Sequence, residues 1–105
     1  MYGKVLEDSL GALVKALCAD YERREELIRG GEIPRRVDTE LRYMNYKIYD
    51  AAAEIAGEKF SKLLIYEIGA GVGYAHTKMD TVSECTYKLY KKLAKENIAK
   101  KLYLT

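Results

Sequence analysis

The stretch Glu67-Ile68-Gly69-Ala70-Gly71-Val72-Gly73-Tyr74-Ala75 decides the fold of this chain. If Leu63–Ile68 is a strand, the glycines form a loop at its tip, where backbone can approach a bound ligand closely. If the same residues are helical, Gly69 and Gly73 are the small residues of a helix crossing or turn. Phe60, Leu64, Ile68 and Val72 stand four apart, which is helical spacing, whereas Leu63-Leu64-Ile65-Tyr66 alone reads equally as a short strand. The flanks must choose.

On the N-terminal side, residues 4–29 read as one helix. Leu6, Leu10, Leu13, Leu17, Tyr21 and Ile28 fall on one stripe, and the run Asp20–Glu26 is expected to face solvent. Gly30-Gly31 supplies a C-cap and turn, and Pro34 suits the first turn of a second helix, although Asp38 is a competing start. Val37, Leu41, Met44, Ile48, Ala51 and Ile55 repeat with alternating spacings of four and three, the cleanest pattern in the chain, and Gly57 closes it. The first two helices are thus expected to form an antiparallel hairpin through Gly30–Ile33. A third helix begins near Glu58. After the break at Gly73-Tyr74-Ala75, a last helix is predicted over Lys78–Lys101, with Met79, Val82, Thr86, Leu89 and Leu93 inward and Lys88, Lys91, Lys92 and Lys95 mainly to one side. The whole reads as an all-α fold of four main helices in a single helical domain, residues 1–105, with the third and fourth helices crossing at Gly73–His76.

Bulk properties agree. The chain has 105 residues, 49% hydrophobic and 32% charged, enough to bury one small core and stay in water. Ten Tyr against one Phe and no Trp favour half-buried positions, as in a thin helical assembly or an interface. Net charge is only +2, but it is unevenly spread: residues 1–76 carry 11 basic and 13 acidic side chains, residues 77–105 carry seven lysines and three acids. A basic end of that kind suits an anionic partner or a solvated helix face. Met1–Leu10 lacks a signal-peptide pattern, and no run of about 18 apolar residues offers a membrane span. A cytoplasmic setting with Cys18 and Cys85 as free, mostly buried thiols is expected.

Few residues offer chemistry. His76 is the single histidine, without a nucleophile or acid at a catalytic spacing, and one His with two distant Cys makes no metal site. Glu22, Glu25, Glu26, Glu54 and Glu58 read as surface acids, since no Glu-x-x-His pair accompanies them. Arg29, Arg35, Arg36 and Arg42 could grip phosphate, yet have Glu25, Glu26, Glu32, Asp38 and Glu40 at hand to pair with. No catalytic residue, cofactor or metal is expected.

Tyr66–Gly73 resembles the first motif of S-adenosylmethionine-dependent methyltransferases, in which a buried strand ends in a run of alternating glycines. That fold needs several strand–helix units, and the sequence on either side of the motif repeats helically. The helix-turn-helix reading takes Gly69 as the small residue, Ile68 and Val72 as anchors, Gly73 as the turn, and Met79 and Val82 as inward positions of the second helix. His76, Thr77, Lys78, Asp80, Thr81 and Glu84 then lie outward, with only Lys78 cationic. A third, purely structural reading has Gly69, Gly71 and Gly73 break one helix or let two helices pack closely.

Ile68-Gly69, Gly73-Tyr74, Tyr87, Lys91, Ile98-Ala99-Lys100 and Leu102–Leu104 resemble the C-terminal pattern of small phage- or prophage-encoded regulators of Gram-positive bacteria. Those proteins carry a helix-turn-helix similar to the last region of sigma factors, which implies transcriptional regulation and no catalysis. On that basis duplex DNA is the expected partner. His76, Thr77, Lys78, Thr81, Lys88, Lys91, Lys92 and Lys95 are the candidate contacts, and the chain is expected to form a homo-oligomer, a dimer. The rival expectation is a helical oligomerisation or assembly protein with no nucleic-acid role.

Overall fold

A computed structural model describes the backbone of residues 2–104 and the side chains of residues 9–104. Glu67–Ala70 winds as helix, and no strand occurs among the described residues. The helices are α1 (Tyr2–Ala19), α2 (Tyr21–Gly30), α3 (Arg35–Ala56), α4 (Glu58–Ala70) and α5 (Glu84–Lys101), with a 3-10 turn at Tyr74–His76. The fold is all-α, a four-helix arrangement in which the first helix is bent at Asp20 into α1 and α2.

That bend corrects the single helix expected over residues 4–29. The guanidinium of Arg24 donates to the Leu17 carbonyl at 2.6 Å, occupying an acceptor of the helical ladder at the point where the chain turns. Arg24 also donates through Nε to Asn45 Oδ1 at 2.6 Å and through Nη1 to Asp20 Oδ2 at 3.1 Å. Asn45 in turn donates to the Tyr21 carbonyl and to Glu25. The run Asp20–Glu26 is therefore only in part a solvent face: Glu22, Arg23 and Glu26 are exposed, but Tyr21 and Arg24 are buried. Burial pushes the Arg24 pKa below its ordinary value, and Asp20 partly offsets this. On α1 the buried positions are Val14 and Cys18, while Leu13 is exposed; the Leu6 side chain lies outside the described residues.

Gly31 adopts a left-handed conformation (φ 66°) after α2, and Pro34 precedes α3, so α2 and α3 make the hairpin read from Gly30–Ile33. Ile48 and Ala51 of α3 are buried as its repeat predicts, Ala52 is buried beside them, and Val37 at its start is exposed. Gly57 alone (φ 87°) separates α3 from α4. α4 packs against both α3 and α1, and its Leu64, Ile65 and Ile68 sit in the core. Ser61 is buried too, donating to the Tyr49 carbonyl at 2.8 Å. α5 closes the structure against α3 and α1, and the molecule is flat, 42 × 36 × 20 Å.

Each of the three glycines has its own role. A Cβ on Gly69 would stand 2.5 Å from the backbone nitrogen of Ala19, so this glycine sets the close crossing of α4 on α1, not on the helix that follows. Gly71 ends α4 in the left-handed conformation (φ 71°). Gly73 is extended, with open space around it.

Candidate nucleic-acid interface

The last helix starts at Glu84, six residues later than its apolar spacing suggests. Ser83 is the reason: its hydroxyl accepts the Thr86 N–H at 3.2 Å, an N-cap that outweighs the periodicity before it. Residues 71–83 form a connector, longer than the few residues of a helix-turn-helix turn. His76 ends the 3-10 turn, and Lys78 and Thr81 are exposed on the connector. Thr77 is turned inward, and Met79 is buried in the core without being helical.

The connector is fastened by a buried carboxylate. Glu67, on the last turn of α4, is 1% exposed. It accepts hydrogen bonds from the Thr77 hydroxyl, from the Lys78 N–H at 2.9 Å and from the Tyr87 hydroxyl at 2.8 Å. Thr77 Oγ1 accepts from the Met79 N–H, and the Val72 carbonyl accepts from Lys91 and lies 3.0 Å from the Tyr87 hydroxyl, whose single proton it shares with Glu67. Burial, helped by the Glu67 hydrogen bond, raises the Tyr87 hydroxyl to about 12.

α5 turns Tyr87, Ala94, Ile98 and Ala99 into the core. Leu89, expected inward, is 52% exposed, because the later helix start and the Tyr87 anchor place the inner face elsewhere. Cys85, Lys88, Leu89 and Lys92, at helical spacings of three, one and three, form one exposed stripe. Cys85 is thus an exposed thiol, while Cys18 is buried and its pKa is pushed up to about 12 by desolvation.

The lysines of α5 converge. Lys88, Lys91, Lys92 and Lys95 line an open groove of about 1120 Å³, with Lys15 of α1 on the opposite wall and Leu10, Val14 and Ile55 among its apolar lining. They are not equivalent. Lys91 donates to the Val72 carbonyl at 2.6 Å and lies over the Tyr87 ring; burial, then the nearby Lys95, lowers its pKa. Lys88 pairs with Glu84 at 2.8 Å, which raises its pKa. Lys92 is exposed and Lys95 half-buried. Reasoning from spacing alone missed Lys15 and Glu67, since the contact partners of each lie far away in sequence; the Ser83 cap was readable. Of Arg29, Arg35, Arg36 and Arg42, three behave as acid partners: Arg29 pairs with Glu22, Arg36 with Glu40 and Arg42 with Asp38.

No helix among the described residues is long and apolar enough to cross a membrane, and no three His, Cys, Asp or Glu side chains converge there to hold a metal ion. No protein-family model, curated protein or solved structure matches this chain.

Proposed function

We propose that this protein is a small nucleic-acid-associated regulator that binds duplex DNA along the outer face of α5. The observation that carries the reading is the gathering of Lys15, Lys88, Lys92 and Lys95 at one groove beside a helix whose outer side carries an exposed stripe. Ammonium groups so placed neutralise phosphates and release condensed counterions, a source of affinity that needs no sequence information. The contact surface moves from the connector to α5: the stripe Cys85–Lys88–Leu89–Lys92 is the part of the helix free to enter a major groove, with Leu89 suited to a thymine methyl. His76, Lys78 and Thr81 flank it. Thr77 drops out of the contact set because Glu67 holds its hydroxyl.

Fluorescence anisotropy with a labelled random-sequence duplex pool tests this. Affinity is expected to fall steeply between about 50 and about 200 mM salt, and Lys88→Gln or Lys92→Gln should each reduce the salt slope by about 1. Lys91→Gln, already committed to Val72, should leave the slope close to wild type. Absence of binding at low salt ends the proposal.

A second reading has independent support. Val37, Tyr43 and Tyr46 are exposed apolar residues on α3, none of them lining the lysine groove, and suit self-association. Light scattering that gives the monomer mass at high concentration would remove it.

A further inference from the structure

We infer that Glu67 is the positioning residue for α5: through Thr77, Lys78 and Tyr87 it fixes the rotation of that helix about its own axis, and so decides which side chains face outward. The inference rests on the nucleic-acid reading for its consequence, but on geometry for its content. Tyr87 and Lys91 are one turn apart on a single face of α5, and both reach inward to the end of α4 and the start of the connector. Cys85, Lys88, Leu89 and Lys92 occupy other faces of the same helix and are exposed or groove-lining. A rotation that broke the Tyr87 anchor would turn the stripe away from where it now points.

Apart from Glu67, the connector is held by the buried Met79, the partly buried Val72 and Val82, the Lys91 bond to the Val72 carbonyl and the Tyr74 ring against Tyr87, while its 3-10 turn is exposed. Its polar groups converge on the carboxylate: one hydroxyl and one backbone N–H of the connector, plus the hydroxyl of α5. A carboxylate only accepts, and three donors aimed at it match that capacity. Lys91 lies beside the network: its ammonium sits over the ring whose hydroxyl Glu67 binds, and Glu67 acts on it electrostatically. An amide at position 67 presents a donor where one of these donors now points. The arrangement is charge-specific, not merely space-filling.

Three variants test it: Glu67→Gln, Thr77→Val, and Thr77→Ser as the conservative rescue, with Tyr87→Phe in reserve should Glu67→Gln fail to fold. Hydrogen exchange of the amides of residues 78–82 and affinity for the random duplex pool are read in parallel. Glu67→Gln and Thr77→Val are expected to speed that exchange by about tenfold and weaken binding by about tenfold, with helix content unchanged, whereas Thr77→Ser restores both. Unchanged protection in Glu67→Gln overturns the inference, as does faster exchange with wild-type affinity. If the wild-type chain binds no DNA while the variants still loosen the connector and Thr77→Ser restores it, the DNA reading falls and the anchor stands.

Discussion

The bend between α1 and α2 and the connector between α4 and α5 are each held by one buried charged side chain, and the charges are opposite. At the bend, Arg24 serves the carbonyl of Leu17 at the end of α1. At the connector, Glu67 serves a backbone N–H and two hydroxyls just after the end of α4. A guanidinium is a set of donors and suits orphan carbonyls; a carboxylate is a set of acceptors and suits orphan N–H groups. The bend takes one non-helical residue, Asp20, whose carboxylate is also the counter-charge of Arg24. Glu67 has no such direct partner within its three hydrogen bonds, and the chain spends a long connector bringing neutral donors to it.

The largest effect expected is at the contact shared by the two regions. Gly69 of α4 lies against Cys18 and Ala19, where α1 ends, two residues along from Glu67. Gly69→Ala places a methyl inside backbone atoms that cannot yield, and should cost about 3 kcal/mol or more. Urea denaturation measures it, and a loss under about 1 kcal/mol would mean that α1 and α4 can slide apart without penalty.

Next comes the bend itself. Arg24→Met leaves Asn45 Oδ1 and the Leu17 carbonyl without their donor and should cost about 3 kcal/mol. Adding Asn45→Leu removes one orphan, so the double variant should lose less than the sum of the singles. Additive losses would show that Arg24 and Asn45 act separately, and that the bend is not one network.

Alkaline unfolding compares the regions through groups that titrate. Cys18 near the bend and Tyr87 at the connector both have pKa values pushed up to about 12, chiefly by burial. Below the ordinary thiol value of 9.0 both are neutral, folded or not, and their contribution is complete. As pH rises above 9.0 the unfolded chain ionises Cys18 first, and above 10.0 Tyr87, so stability falls toward the folded values. Cys18→Ala should flatten the decline that begins near pH 9.0, and Tyr87→Phe part of the decline above 10.0, the rest of which belongs to the buried Tyr21, likewise pushed up to about 12. Denaturant midpoints measured in steps of pH check both, and identical slopes in all three proteins would refute the assignment.

The contrast also explains what the sequence could disclose. Apolar repeats located α3 and α4, since Leu64, Ile68, Ile48 and Ala51 are buried where spacing four and three put them, although Val72 of the same spacing lies beyond the end of α4 and Val37 is exposed. The same method smoothed over Asp20 and ran the last helix back to Lys78, because both breaks are made by polar groups, Arg24 and Ser83, that carry no apolar period. Leu13 and Leu89 look like core and are not; Arg24 and Glu67 look like surface and are not. Lys88, Lys91, Lys92 and Lys95 could be grouped from their positions on one helix. Lys15 joins them through the packing of α1 on α5, a tertiary fact.

The smallest expected effect lies where charge meets solvent. Lys101 of α5 reaches Asp50 at 3.1 Å and Glu54 at 2.7 Å, and Asn97 donates to the Ala51 carbonyl and to Glu54. The Lys101 hydrogen bond, followed by that of Asn97, holds the Glu54 pKa below its ordinary 4.5. A lowered folded value means a contribution present above 4.5 and lost as pH falls through the folded pKa. The clasp is thus intact at neutral pH and released by acid. It is exposed and screened by salt, so Glu54→Gln should move the thermal midpoint little, unlike any change at Arg24 or Glu67. Carboxyl titration followed by NMR gives the sharper measurement: a Glu54 pKa at or above 4.5 would show that Lys101 does not hold it in solution. The two buried charges would then be the only ones in this comparison with a measurable hold on the fold.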